Sequence, residues 1–169
     1  MPTCVDHIDR LRAQWRRELP ELDTSAMEVI GRARLVTIAL RPDIEAVFAR
    51  HGLDAGEFDV LATLRRSGAP FRLRPTEIYR SLMISSGGLT DRLGRLEERG
   101  LVRRLPSPED RRSLMVELTE DGRARVETAF REDMALETRK LGSLTEKEQQ
   151  TLAALLRKLS LSIERDGAA

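Results

Sequence analysis

Apolar side chains recur every three or four positions over most of the chain, which is the pattern of amphipathic helices. Over residues 5–19 this spacing predicts an N-terminal helix that carries Trp15 and ends before Pro20. A second helix is predicted over 24–51, and Pro42 is expected to kink or divide it. The N-terminal third of the chain is therefore expected to be helical.

Capping signals predict the next two helices. Asp54 and Glu57 have the spacing of a capping box, in which each side chain bonds the backbone of the other, and the helix they begin is expected to reach Arg66. Pro75 suits the first turn of a short helix, because the amide hydrogen that proline lacks has no partner there. Two helices separated by a short turn are expected here.

The period of the apolar residues changes after the next helix. That helix is predicted over 85–99, with Ser85 or Ser86 as its cap. Residues 101–105 and 113–118 follow with the pattern of strands, joined by a turn that ends in two arginines. This segment is therefore expected to be a helix followed by a β-hairpin with a basic tip.

Two further helices are predicted after the hairpin. Thr119 is expected to cap a helix that reaches about Leu141. Thr145 and Glu148 form a second capping box, which begins a last helix with apolar residues at helical spacing. Both helices are amphipathic, so each needs another surface to cover its apolar face.

Charge is divided unevenly along the chain. The net charge is only +1. Residues 65–112, however, contain twelve arginines and six acidic residues, whereas residues 1–64 contain eight basic and eleven acidic ones. The middle of the chain therefore has the charge expected of a surface that meets a polyanion such as nucleic acid, although a solvated arginine face would have the same composition.

Composition narrows the class of protein. A chain of 169 residues, 40% of them apolar, is expected to form one compact unit. The single cysteine, Cys4, excludes an internal disulfide, and neither a membrane-spanning run nor a signal peptide is recognised, so a cytoplasmic protein without membrane contact is expected. The sequence contains no glycine-rich phosphate loop, nucleophile elbow or metalloprotease motif, which argues against an enzyme.

Helix, short helix, capped helix and basic hairpin in that order make up a winged helix-turn-helix. Three stretches, at 96–102, 110–113 and 118–122, resemble the recognition-helix end, the wing and the following helix of the multiple-antibiotic-resistance-regulator (MarR) family. The resemblance implies a mainly α subunit over 1–169, with a winged helix-turn-helix at 53–118 and a two-stranded β-wing. The added N-terminal helix is 1–20, and dimerisation is expected to use 24–52 and 119–165.

The resemblance implies that helix 85–99 enters the major groove of double-stranded DNA and that the wing reaches a minor groove. The side chains predicted to contact DNA are Ser86, Thr90, Asp91, Arg95, Arg111 and Arg112. Asp91 is unusual beside a polyanion, and it can accept from a cytosine amino group, orient Arg95, or form only an intrahelical ion pair. Either Arg111 or Arg112 can be the one that enters the minor groove. The regulator can repress or activate transcription, and repression is the default expectation.

Four residues break the polarity expected at their positions, and each has an ordinary explanation. Arg92 points toward an apolar helix face, where it can snorkel or pair with an acid. Asp59 can turn toward solvent or Arg66, Arg104 can contact phosphate, and Trp15 can be a packing residue. Together, Trp15, Asp59, Arg92 and Arg104 resemble the ligand set of the urate-responsive branch of the family, which implies urate or a related anionic purine as effector and no cofactor.

Other sensing mechanisms, and one other function, are also compatible with the sequence. Oxidation of Cys4 is a sensing mechanism of another class, and another aromatic acid is an alternative effector. Cys4 and His7 are spaced like two metal ligands, but they make a poor site with only His51 left elsewhere. A helical dimerisation protein that does not bind DNA remains the alternative to a regulator.

Overall fold

The computed structural model describes residues 5–82, 88–106 and 113–166, and these form helices around one small sheet. The helices are α1 (His7–Glu18), α2 (Ala26–Arg50), α3 (Ala55–Arg66), α4 (Pro75–Ser81), α5 (Leu89–Glu98), α6 (Glu120–Lys140) and α7 (Glu146–Asp166). The strands are β1 (Arg72–Leu73), β2 (Val102–Pro106) and β3 (Leu114–Leu118). The mainly α fold with a winged helix-turn-helix is confirmed.

The predicted caps form as the sequence indicates. Asp54 and Glu57 bond reciprocally at the start of α3, with Glu57 N donating to Asp54 Oδ1 at 2.7 Å. Thr119 Oγ1 accepts from Gly122 N at 3.1 Å to begin α6. A similar reciprocal cap, Thr145 with Glu148, begins α7. Short-range hydrogen bonds of this kind depend on residues three apart, which explains why the sequence reveals them.

One helix boundary differs from the predictions, and one prediction is narrowed. Pro42 lies inside the 25-residue helix α2, so it does not divide the helix, because both halves retain enough turns of their own hydrogen bonds; a kink at Pro42 stays a prediction. Helix α5 begins at Leu89 rather than at 85, and the N-cap position is Gly88 instead of Ser85 or Ser86. Gly88 has φ of +73°, a left-handed conformation that a helix interior does not contain and that glycine adopts without strain.

The two-stranded wing expected from the sequence is present as β2 and β3, and a third antiparallel strand, β1, which the sequence did not predict, extends it. Strand β3 lies in the centre, paired with β2 on one side and with β1 on the other, where Arg72 is opposite Glu117. A two-residue strand has no alternation to detect in sequence. Strand β1 is therefore recognised only from its pairing with β3, and this pairing connects the turn between α3 and α4 to the wing.

The hydrophobic core lies between the second half of α2, helices α3, α4, α5 and α6, and the inner face of the sheet. Its fully buried members include Leu61, Leu64, Ile78, Leu96 and Val116. Helix α2 contributes to this core only from Ile44 onward. Helix α5 is thus fixed by its apolar stripe to the hydrophobic core, while its other side remains at the surface.

Helix α1 packs on the first half of α2. Its buried Ile8 lies against Gly31, where a Cβ would be 2.8 Å from Ile8 Cδ1. Arg32 Nε donates to Asp6 at 2.7 Å and Arg32 Nη2 to Asp9 at 2.8 Å, both at the start of α1. The pair Arg12–Glu28 lies further along α1 but nearer the start of α2, so α1 runs antiparallel to α2.

Candidate nucleic-acid interface and ligand cleft

Helix α5 presents a polar face opposite its apolar stripe. Leu89, Leu93 and Leu96 are buried, whereas Thr90 and Asp91 are exposed at the N-terminal turn, as predicted for side chains that reach base edges. Ser86, Arg111 and Arg112, the other predicted DNA contacts besides Arg95, lie outside the described residues. Their role, and that of Thr90 and Asp91, stays a prediction.

A groove between α4 and α5 adds residues that sequence reasoning missed. It is lined by Thr76, Tyr79 and Arg80 from α4 and by Leu89 and Thr90 from α5. Tyr79 is 57% exposed, so its ring and hydroxyl are accessible from this groove. Hydroxyl and guanidinium groups of this kind contact phosphate oxygens in protein–DNA complexes. The signal in the sequence for these residues was the polar side chains that follow Pro75 on α4, the first helix of the helix-turn-helix.

The base of the wing is held by one buried carboxylate. Glu117 on the central strand binds Arg72 on β1 and Arg103 on β2, and Arg72 Nε and Arg103 Nε donate at 2.7 and 2.8 Å. Burial raises the pKa of Glu117, but the two arginines outweigh burial and lower it below its usual value. All three strands are thereby fixed to one another beside α5.

The predicted groove residue Arg95 is turned toward α3. Its Nε donates to the buried Glu57 at 3.0 Å, and its Nη2 donates to Asp54 at 2.9 Å. Arg99, one turn further, donates to the other oxygen of Glu57 at 3.0 Å. We define these four side chains as the α3–α5 latch. Glu57 and Asp54, at the start of α3, are thus the carboxylates that hold Arg95, and the three alternatives for Asp91 stay predictions.

A cleft of about 660 Å³ opens next to this latch. Its walls are the end of α2, the start of α3 and the start of α5, and its lining residues include Glu45, Ala49, Asp54, Asp91, Arg92 and Arg95. The half-buried Arg92 lies over Gly56, where a Cβ would be only 2.2 Å from Arg92 Nε. Arg92 and Arg95 therefore project into the cleft from α5, which also carries the predicted base contact Thr90.

Asp59, another predicted ligand residue, lies one turn beyond Gly56 on the same face of α3. Its side chain is 7% exposed, and Arg66 Nη1 lies 3.7 Å from its Oδ1. The expectation that Asp59 can turn toward Arg66 is met by this contact, although the carboxylate is buried rather than solvated. Asp59 and Arg92 thus belong to the same α3–α5 junction.

Comparisons with known proteins agree with this architecture. The sequence model of the MarR family matches residues 51–113. The chain is 43% identical over 143 residues to the HTH-type transcriptional regulator PecS of Dickeya dadantii. The aligned region covers 85% of this chain and 86% of PecS. The chain belongs to the MarR family. As a member, it is a transcriptional regulator with a DNA-binding winged helix and not an enzyme.

Solved structures of the MarR family share the fold. Sco5413 of Streptomyces coelicolor, a MarR family transcriptional regulator, has a TM-score of 0.70 at 26% identity, covering 85% of this chain and 98% of Sco5413. A mutant MarR of E. coli complexed with operator DNA has a TM-score of 0.65 at 29% identity, covering 81% and 99%. Within the described residues, no helix of this MarR-family chain is both long and apolar enough to span a bilayer.

Arg104 lies on the other flank of α5 in this MarR-family subunit. Its Nε is 3.2 Å from Glu97 Oε2, and its backbone amide donates to the same carboxylate. Five residues separate Glu97 from Arg92, which places the two side chains about 140° apart around the helix at about 100° per residue. Arg104 therefore contacts α5 from the wing, away from the cleft that Arg92 lines.

Trp15 is far from the cleft within the same subunit. Because α1 is antiparallel to α2, residue 15 lies beside the N-terminal end of α2, whereas Glu45 marks the cleft near its other end. From Ala26 to Glu45, α2 advances about 28 Å at about 1.5 Å per residue. The structure thus places Asp59 on α3 one turn beyond Gly56, on which Arg92 of α5 lies, but it does not bring Trp15 to them in one chain.

Proposed function

We propose that this regulator is a dimeric repressor that binds a pseudo-palindromic operator and is released by a flat anionic heterocycle, such as urate or a related purine. The observation that carries the effector part is Arg92 on Gly56: a half-buried guanidinium of the recognition helix forms a wall of a cleft. A ligand that binds there touches α5 directly, so its binding free energy can change how α5 is presented to DNA.

Unpartnered apolar surface supports the dimer. Helix α7 exposes Leu152, Leu155, Leu156, Leu161 and Ile163, all more than 40% accessible in the single subunit. Exposed apolar surface of this extent on one helix needs a covering partner, and an isologous contact with a second copy provides it. A twofold axis between two winged helices in turn requires an operator with two related half-sites.

Two surfaces of α5 and α4 support DNA binding. Thr90 and Asp91 lie at the exposed N-terminal turn of α5, where a recognition helix meets base edges. Tyr79 and Arg80 lie beside them on α4, in position to contact phosphates that fix the register. The wing arginines Arg111 and Arg112 are proposed to add a minor-groove contact.

Competition for arginine provides a mechanism of release. In the latch, Asp54 and Glu57 hold Arg95, and the adjacent Arg92 lines the same cleft. An anion in the cleft offers both arginines an alternative acceptor, and charge-assisted hydrogen bonds to it compete with those to Asp54. Weakening the contact between α3 and α5 reorients the recognition helix. The effector therefore favours the conformation with lower operator affinity, as release requires.

DNA binding is tested by fluorescence anisotropy with the DNA upstream of the regulator's own gene and with a scrambled duplex of equal length. We expect salt-dependent binding that prefers the upstream DNA. Arg80→Ala is expected to weaken binding to both duplexes, because it removes a phosphate contact, and Thr90→Ala is expected to reduce the preference. Equal affinity of the wild-type protein for both duplexes would contradict the proposed repressor.

The effector is tested by adding urate to the preformed complex with upstream DNA. We expect urate to release DNA from the wild-type protein. For Arg92→Ala and for Gly56→Ala, we expect the urate concentration that releases half of the DNA to rise by at least about tenfold. The Gly56 variant keeps the arginine but pushes it out of place. Arg139→Ala, at an exposed position near the end of α6, is the matched charge control. Release that is unchanged in both cleft variants would exclude this mechanism.

A further inference from the structure

Helix α4 ends without the kind of turn that ends the helices next to it. Helices α3 and α5 are each followed by a glycine with positive φ, Gly68 at +82° and Gly100 at +69°. This left-handed conformation turns the chain back, so that its amides reach the last carbonyls of the helix. After α4, the C-cap residue Leu82 is extended instead, with φ of −67° and ψ of 140°. The last carbonyls of α4 therefore need donors from outside the helix.

Arg66, the last residue of α3, supplies such a donor. Its Nη2 donates to the backbone oxygen of Ser81, the last residue of α4, while its Nη1 lies 3.7 Å from Oδ1 of the buried Asp59. A guanidinium donates from separate nitrogens in fixed directions, so one arginine can span a carboxylate and a helix end. The helix dipole also favours a positive charge at that end. Arg66 thus bridges α3 and the C-terminal end of α4.

The length of α4 makes this contact important for its orientation. The helix has seven residues, too few to be stable through its own hydrogen bonds. Ile78, at 0% exposure, anchors its middle in the hydrophobic core, and Tyr79 and Arg80 lie on the exposed side beside α5. A helix anchored at its middle can still tilt about that point. The contact of Arg66 with Ser81 fixes the end of α4, and with it the position of Tyr79 and Arg80 relative to α5.

We propose that Arg66 is a positioning residue for DNA binding. Held by Asp59, it fixes the end of α4 and thereby sets the register between the phosphate contacts of α4 and the base contacts of α5. Helix α3 then holds both helices of the helix-turn-helix, α5 through the α3–α5 latch at its start and α4 through Arg66 at its end. This inference rests on the DNA contacts proposed for α4 and α5, and it does not depend on any effector.

The contact is tested without DNA by hydrogen exchange and mass spectrometry. In Arg66→Ala, the amides of residues 79–82 are expected to exchange about fivefold faster than in the wild type, because the last turn of α4 loses a hydrogen bond. Arg66→Lys should give a smaller increase, since one ammonium group retains the charge but not the fork of the guanidinium. Peptides from α6 are the control and should not change. An unchanged rate at 79–82, or an equal increase in α6, would overturn the role of Arg66 at α4.

The part of Asp59 is tested by a double-variant cycle in the same measurement. Asp59→Asn alone is expected to speed exchange at 79–82 less than Arg66→Ala does. Combined with Arg66→Ala, it should add nothing, because Asp59 acts on α4 through Arg66. Additive increases would show that Asp59 affects α4 by another route and would overturn the proposed chain of contacts.

The functional consequence is tested by anisotropy with the upstream and the scrambled duplex at several salt concentrations. For Arg66→Ala, the preference for upstream DNA is expected to fall by about fivefold, comparable to the loss of one hydrogen bond. The salt dependence should stay as in the wild type, whereas Arg80→Ala should reduce its slope by about 0.9, as expected for one lost phosphate contact. Arg131→Ala, 71% exposed on α6, is the matched charge control and should keep the preference.

Two outcomes of this titration would overturn the positioning role. An Arg66→Ala variant with the reduced salt slope of Arg80→Ala would make Arg66 a direct phosphate contact, and an unchanged preference would leave it without a role in DNA binding. A wild-type protein that does not prefer the upstream duplex would contradict the proposed repressor. Hydrogen exchange would then still decide whether Arg66 holds the end of α4.

Discussion

Glu57 Oε1 accepts a hydrogen bond from Arg95 Nε at 3.0 Å, and this contact ties the capping box of α3 to the recognition helix α5. The other oxygen of the same buried carboxylate accepts from Arg99 at 3.0 Å and from the amide of Asp54 at 3.1 Å. One side chain thus caps α3 and also positions α5. A change at the start of α3 is therefore transmitted to the helix proposed to meet DNA.

Glu57→Gln is predicted to reduce operator specificity. The variant leaves Arg95 and Arg99 without the charge that holds them, so α5 loses its fixed orientation, and the unfolding free energy falls by on the order of 2 kcal/mol. Binding to scrambled DNA should not weaken, because the surface becomes more positive. Anisotropy titrations with the upstream and the scrambled duplex measure specificity as the ratio of the two affinities. Asp54→Asn, which affects only Arg95 among these arginines, is the control, and a larger effect of that control would contradict the assignment.

Glu117→Gln is predicted to destabilise the wing at neutral pH, by roughly 1–3 kcal/mol. The pKa of Glu117 in the folded protein is below its usual value of 4.5, so its contribution is present above pH 4.5 and is lost as the pH falls through the lowered pKa. Urea denaturation at pH 7 and at pH 3 should therefore show a difference between wild type and variant that shrinks at the lower pH. A difference that is independent of pH would argue against the ion pairs as its source.

The carboxyl group of Asp133 is predicted to change stability with pH in the opposite direction to that of Glu117, and Asp133→Asn is predicted to remove this effect. Asp133 is 5% exposed, its Oδ1 meets no donor in the described part of the chain, and burial together with Glu137 raises its pKa from 3.8 to about 6. Folding favours the neutral acid, so stability is complete below pH 3.8 and is lost as the pH rises toward 6, by up to about 3 kcal/mol.

Denaturation of the wild type and Asp133→Asn between pH 4 and 7.5 measures this effect. The stability of the variant relative to wild type should increase across that range, because the amide does not ionise. Glu137→Gln is the matched control and should give a smaller change in the same direction, since it removes only the neighbouring charge. A constant difference across the range would show that Asp133 does not titrate as described.

Two glycines give a paired prediction on packing. A Cβ at Gly122 would lie 2.1 Å from the backbone oxygen of Leu101, which cannot move aside, so Gly122→Ala should lower the unfolding free energy by about 1–3 kcal/mol. At Gly94 in α5, no described atom outside the local helix backbone lies within 4 Å of the corresponding position, and Gly94→Ala should raise the unfolding free energy by about 0.5–1 kcal/mol. Urea denaturation at one fixed subunit concentration tests both, and destabilisation by both variants to the same extent would refute the steric reason.

The sequence by itself determined the helices of this regulator and most of their ends. Apolar spacing and capping pairs such as Asp54–Glu57 and Thr145–Glu148 involve residues within one or two turns, so their hydrogen bonds form wherever the local chain is helical. The basic centre and the hairpin also follow from local pattern, and with the resemblance they were enough to indicate the winged helix.

Tertiary structure alone decided where the side chains point. The third strand needs Glu117 opposite Arg72, 45 residues away, and Arg95 turns toward α3 because Glu57, 38 residues away, offers a buried acceptor. The distance of Trp15 from Arg92 follows from the antiparallel packing of α1, which no periodicity encodes. Contacts between distant segments depend on how the elements pack, and the sequence of each element fixes only its own geometry.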